Sequence, residues 1–158
     1  MKLKLSLLSV LLLSITLSAY ASSQPTISIG NISATPMQRV QVPVILVTQN
    51  TDLVTLLMDV KYDTSIVSSP VVTIGPAGVG KTLLTSMLPS GALRISIYDL
   101  QNTLLHDGLI VNIAFTLASV AARGSTVDLT FDTKKVGAAD QSGNDIAIAY
   151  INGTITVY

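Results

Sequence analysis

"GPAGVGKT", Gly75 to Thr82, fits the phosphate-loop pattern G-x-x-x-x-G-K-[ST] at every fixed position. Its reading decides the fold. A working phosphate loop follows a buried parallel strand and opens a helix, whose N-terminus and loop amides hold the phosphates. Here the next residues are "LLTSMLPSG", and Pro89 and Gly91 end any helix after about two turns. The preceding "VVTI" follows Pro70 and is a short strand. Parallel sheets also need crossover connections of about a dozen residues, usually helical, and the chain offers none. "RISIYD", ending at Asp99, resembles a magnesium-binding partner motif but reads equally as a strand ending in a turn. Gly75 to Thr82 is therefore a chance match, a Gly-rich connection between strands, and no nucleotide site is expected.

Outward from that segment the chain alternates. "RVQVPVILV" (Arg39 to Val47) sets Val40, Val42, Val44 and Leu46 on one face, the period-two mark of a half-buried strand. Pro43 cannot donate to a ladder, which predicts an edge or a bulge there. "TLLMDVKY" puts Leu56, Met58, Val60 and Tyr62 inward and Thr55, Leu57, Asp59 and Lys61 outward. "ALRISIY" places Leu93, Ile95 and Ile97 opposite Arg94, Ser96 and Tyr98. "LIVNIAFTL" sets Val111, Ile113, Phe115 and Leu117 against Ile110, Asn112, Ala114 and Thr116. "TISI", "TVDLTF", "DIAIAY" and "GTITVY" are shorter candidates. Turn chemistry separates these runs at Asn50-Thr51-Asp52, Pro89-Ser90-Gly91, Asp107-Gly108, Arg123-Gly124-Ser125 and Ser142-Gly143-Asn144. Short strands with turns between them predict an all-β sandwich or barrel.

The first 21 residues, "MKLKLSLLSVLLLSITLSAYA", carry Lys2 and Lys4, an apolar run and a small-x-small close at Ala19-Tyr20-Ala21. This reads as a signal peptide over residues 1–21, leaving one domain over 22–158 and an exported protein at the cell surface, outside the cell or in the periplasm. Beyond the leader no apolar run is long enough to span a bilayer. There is no cysteine, so no disulfide forms in any compartment. Nine acids, all Asp, balance nine basic residues, which gives no electrostatic footprint for nucleic acid.

Catalytic chemistry is sparse. His106 is the only histidine, sits beside Asp107-Gly108, and reads as a turn residue. No G-x-S-x-G string exposes a nucleophile. One His, no Cys and no Glu leave few metal ligands, and no metal or other cofactor is expected. "DQSGND" (Asp140 to Asp145) is rich in oxygen but lacks calcium-loop spacing, and reads as a polar turn.

Five segments in order resemble a cohesin domain: "ISIGNISATPMQRVQVPVIL", "LLMDVKYDTSIV", "GALRISIYD", "DGLIVNIAFTL" and "AADQSGNDIAIAYINGTITV". The resemblance covers nearly all of Ile27 to Val157. The family commonly has Gly where Met37 stands, and some members carry a polar residue at the position of Leu57. The resemblance implies a nine-stranded jelly-roll β-sandwich related to carbohydrate-binding modules. It implies a non-catalytic module, as in complexes that degrade polysaccharide. Its partner would be a dockerin-bearing protein, with calcium on the partner's side. The binding face it implies carries Thr55, Leu57, Asp59, Arg94, Ser96, Tyr98, Ile110 and Asn112. The alternative it leaves open is a carbohydrate-binding module that takes polysaccharide. Against that, the chain has no Trp and few aromatic rings to grip a sugar surface.

Overall fold

Alternating apolar and polar residues give strands with one wet and one dry side, and two such layers close on each other. The computed structural model describes residues 24–158, so the leader expected at 1–21 lies outside the described residues. The strands are β1 (Thr26–Ile29), β2 (Ile32–Ala34), β3 (Arg39–Val47), β4 (Thr55–Lys61), β5 (Val67–Ile74), β6 (Thr82–Met87) and β7 (Leu93–Tyr98). They continue as β8 (Gly108–Leu117), β9 (Thr126–Phe131), β10 (Gly137–Ala139), β11 (Asp145–Ile146), β12 (Ala149–Ile151) and β13 (Gly153–Val157). Among the described residues the one helical element is a single 3-10 turn, Pro76–Gly78.

One sheet runs β12-β1-β3-β8-β5. The other runs β2-β13-β9-β4-β7-β6, with β10 and β11 continuing beside β4 past the end of β9. The expected all-β sandwich is present, but with thirteen strand segments among the described residues rather than nine. The excess has a physical origin. The first run changes sheets at Gly30 and so counts twice, as β1 and β2, and the last changes at Asn152 and counts as β12 and β13. The small hairpin β10–β11 is additional. "DIAIAY" is accordingly broken, giving β11 and β12.

The two crossings sit against each other. A Cβ on Gly153 would lie 2.6 Å from the Gly30 carbonyl oxygen and 2.7 Å from that of Ile29. Beside it, the Asn152 side-chain oxygen accepts the Phe131 N–H at 2.9 Å. β1 pairs parallel with β12 in one sheet, and β2 parallel with β13 in the other.

Between the layers lie Ile27, Val42, Leu46, Leu56, Met58 and Phe115, all fully buried. Each buried aliphatic side chain contributes about 1.5–3 kcal/mol relative to exposure. The expected inward rows of β3, β4, β7 and β8 are all in this core. Tyr62 joins it half-buried, edge-on to Phe115 at 5.0 Å.

Two local expectations change. Pro43 stands in an interior strand, since β3 pairs with β1 on one side and β8 on the other. It is tolerated because β1 ends beside it: Gly30 donates to the Pro43 carbonyl at 2.8 Å, and the ring packs where Gly30 has no Cβ. The edge is thus ruled out, while the expected bulge is present just past Pro43, as a register shift between Val44 and Ile45. The second change is Ile110. It is fully buried rather than outward, because Val44 pairs with Val111 and Ile45 with Leu109, leaving Ile110 as the bulged residue.

Met37 takes φ of 66° in the turn before β3, a left-handed conformation that favours Gly. Left-handed geometry costs a residue with a Cβ about 1–2 kcal/mol. Met37→Gly is expected to stabilise the domain by roughly 0.5–1 kcal/mol after the extra unfolded-state entropy of Gly, read from urea unfolding. Gly153→Ala drives a methyl into two carbonyl oxygens and is expected to destabilise by about 1–3 kcal/mol in the same measurement.

Candidate functional site

The outer face of β10, β4, β7 and β6 carries most of the residues implied by the resemblance. Cross-strand register arranges them in rows. Gly137, Leu57, Ser96 and Leu84 form one row, and Asp59, Arg94 and Ser86 the next. Toward the other end, Ala139 pairs with Thr55, and Tyr98 pairs with Thr82. Thr55, Leu57, Ser96 and Tyr98 are half-buried, and Leu84 is 53% exposed.

The ion pair in these rows is turned in on itself. Arg94 Nε and Nη2 each donate at 2.7 Å to the two carboxylate oxygens of Asp59. The residues are directly opposite, so the planar guanidinium meets the carboxylate in bidentate fashion. Asp59 is thereby covered, its side chain 3% exposed, while Arg94 is 34% exposed. Solvent reaches Arg94 there and hardly reaches the carboxylate.

Ile110 and Asn112 leave this face. β8 belongs to the opposite sheet, where Asn112 lies between Pro43 and Thr73, and Ile110 is buried in the bulge. Outward alternation was right for Asn112, but alternation alone does not say which sheet a strand joins. In their place the face gains Leu84, Ser86 and Thr82 from β6 and Gly137 and Ala139 from β10. β6 had a readable signal. Thr82 to Met87 is strand-length, carries no charge and runs into the Pro89-Ser90-Gly91 turn, as a hairpin arm does. Between Leu57, Gly137, Ala138 and Ala139 lies a shallow, mainly apolar depression of about 180 Å³.

The phosphate-loop lookalike borders this face with a different occupation. Gly75 has no room for a Cβ against the Leu109 carbonyl. At Gly78 a Cβ would lie 2.7 Å from Ile74 Cδ1 and 3.2 Å from Ile110 Cδ1. The 3-10 turn thus covers the bulged Ile110, with Ala77 buried beside it. Lys81 does not reach toward solvent. Its side chain is 1% exposed, and Nζ donates at 2.8 Å to Asp99 Oδ2, at 2.8 Å to Thr103 Oγ1, and to the Thr103 carbonyl. Asp99 also accepts the N–H of Gln101 at 2.9 Å and the hydroxyl of Thr103. The bond from Lys81, and next that from Thr103, hold the Asp99 carboxyl well below the usual carboxylate range. With all three donors of Lys81 spent, the segment has no cation for phosphate.

Other carboxylates are held by turns in the same way. Asp140 accepts from the Asn144 side chain at 2.9 Å and from the N–H groups of Asn144 and Ser142, which lowers its pKa and makes "DQSGND" a closed polar turn. Asp107 takes the Thr48 N–H and hydroxyl, both at 2.7 Å. Among the described residues no cluster of three or more His, Cys, Asp or Glu is placed to hold a metal, and no helix is long and apolar enough to cross a membrane. Exposed rings do not form a row. Half-buried Tyr98 stands on β7, Tyr150 is on β12 of the opposite sheet, Tyr158 follows β13, and each of the two described ring pairs includes a buried Phe.

No protein-family model matches the chain, and no curated protein matches it. Solved structures do. A complex of CaCohA2 with a point variant of CaDoc0917 superposes with a TM-score of 0.78 at 26% identity, over 85% of this chain and 100% of that one. CaCohA2 from Clostridium acetobutylicum in solution gives 0.73 at 26%, over 86% and 92%. A non-cellulosomal cohesin from the hyperthermophilic archaeon Archaeoglobus fulgidus gives 0.72 at 20%, over 86% and 92%. The chain has the cohesin fold.

Because Asp99 titrates lower folded than unfolded, its contribution is full above its ordinary value of 3.8 and is lost as pH falls through the folded value. Asp99→Asn is expected to unfold at lower urea than wild type at pH 7. The gap should narrow as pH drops below about 4, read from unfolding midpoints across a pH series. Calorimetry with magnesium and ATP is expected to show no binding heat in wild type or in Lys81→Met.

Proposed function

We propose that this cohesin-fold chain is a non-catalytic docking module, and that the outer face of β10-β4-β7-β6 receives a dockerin-bearing protein. One observation carries the reading. A fold shared with CaCohA2, which was solved in complex with a variant of CaDoc0917, here presents a sheet face whose half-exposed apolar residues stand among small polar ones. Leu57, Leu84 and Tyr98 supply apolar area, and Ser96, Ser86 and Thr82 can donate and accept around them. Apolar anchors within a polar setting suit a protein contact. The bidentate Asp59–Arg94 pair leaves little unpaired charge to desolvate when a partner closes over it. The leader at residues 1–21 accords with export, where such a module would meet its partner.

The test is titration calorimetry against calcium-loaded dockerins encoded in the same genome. Binding that disappears on chelation of the partner's calcium supports docking, and no binding by any of them overturns it. Given a binding pair, Leu84→Asp and Leu57→Asp are each expected to raise Kd by tenfold or more, about 1.4 kcal/mol. Asn112→Asp, on the opposite sheet, is expected to leave Kd unchanged. Retention on insoluble polysaccharide without any dockerin would instead favour a carbohydrate-binding role.

A further inference from the structure

Sheet edges are templates for another strand, and proteins guard them with shortness, Pro, bulges or charge. Among the described residues, four of the five edges are guarded. β2 and β12 have three residues each and β11 two. β5 is longer but carries Pro70, a positive φ at Ser69 and a register shift between Ser68 and Val71. β6 is the exception. It is six residues long, pairs only with β7, and has neither bulge nor Pro. Its sequence, Thr-Leu-Leu-Thr-Ser-Met, has no charge, and the adjoining Lys81 is locked in its ion pair. Leu84 and Met87 are 53% and 51% exposed on it.

We infer that β6 pairs antiparallel with β6 of a second copy of this chain, about a twofold axis through Leu84. The strand is self-complementary in that register. Residues directly opposite in an antiparallel pair point to the same side. Leu84 meets Leu84 of the second copy, and Thr82 meets Ser86, so leucine covers leucine and hydroxyl faces hydroxyl. On the other side Leu83 meets Thr85. With Lys2 and Lys4 in the leader, residues 22–158 carry seven basic and nine acidic side chains, too small an imbalance to set much repulsion against like copies. Such a contact is isologous and closes on itself, so it stops at two. It would run the outer faces of both copies into one continuous sheet. The inference stands apart from the docking reading, since it needs no other partner.

Sedimentation of the chain is expected to show a concentration-dependent dimer, with the midpoint on the order of 100 µM for a small interface. Thr85→Lys puts an edge-guarding charge at an exposed position off the docking rows. It is expected to be monomeric with an unchanged melting temperature. Because the chain has no cysteine, Leu84→Cys gives a single reporter thiol. Opposed Cα atoms in an antiparallel pair are about 4.5–5.5 Å apart, within disulfide reach. Oxidation should therefore cross-link Leu84→Cys faster than Val120→Cys, a control away from the edge that is more exposed, at 78% against 53%. A wild-type monomer up to about 1 mM, a dimeric Thr85→Lys, or equal cross-linking of the two cysteine variants overturns the inference. The cross-linking arm decides it even if Thr85→Lys fails to fold.

Discussion

The meeting of two backbones at Gly30 and Gly153 is the constraint on which the rest depends. There the first and last runs of the sandwich both leave one sheet and enter the other. A side chain on Gly153 would part them. With the contact intact, β1 lies against β12 in one layer and β2 against β13 in the other, so a single crossing point ties both sheets together. In a protein with no disulfide, that tie and the aliphatic core set the spacing of the layers. The rigid sheet then presents its outer rows without help from loops.

The Gly75–Thr82 segment shows how the same residues serve different physics in different settings. In a nucleotide site the glycines open a path for phosphate and the lysine points into it. Here the glycines allow backbone to approach Leu109, Ile74 and Ile110, and the lysine is buried on Asp99 and Thr103. That ion pair also neutralises the cation adjoining β6. Together with the Asp59–Arg94 pair it makes one side of the molecule electrically quiet, and apolar contact and hydroxyl groups dominate there.

Much of this was legible in the sequence. The inward rows of β3, β4, β7 and β8 followed from period two alone, because burial on one side leaves a signature in residue type. The sandwich followed from the absence of helical crossovers. Sheet membership did not follow. Asn112 shows the same outward alternation as Ser96 yet stands on the opposite layer, since pairing partners are chosen by the whole chain. Ile110 was misplaced because a bulge shifts the phase of a strand without changing its composition. β6 was overlooked because the motif before it drew its leucines into a hypothetical helix. Small residues such as Gly137 and Ala139 carry almost no periodic signal, and their part in the face is set by pairing with Leu57 and Thr55 of β4.

The crossing also governs the order in which the domain can assemble. β13 sits in the interior of its sheet, between β9 and β2, and β12 closes the open flank of β1. Both are the last strands of the domain to be synthesised. Until they arrive one layer has a gap and the other a bare flank, so the nascent chain cannot complete its core. Thr26 must wait for Ala149, a pairing across almost the whole domain, and such distant pairings fold on the slow side, in milliseconds to seconds. A chain built this way remains threadable while it is being made and locks only after its final strand is free.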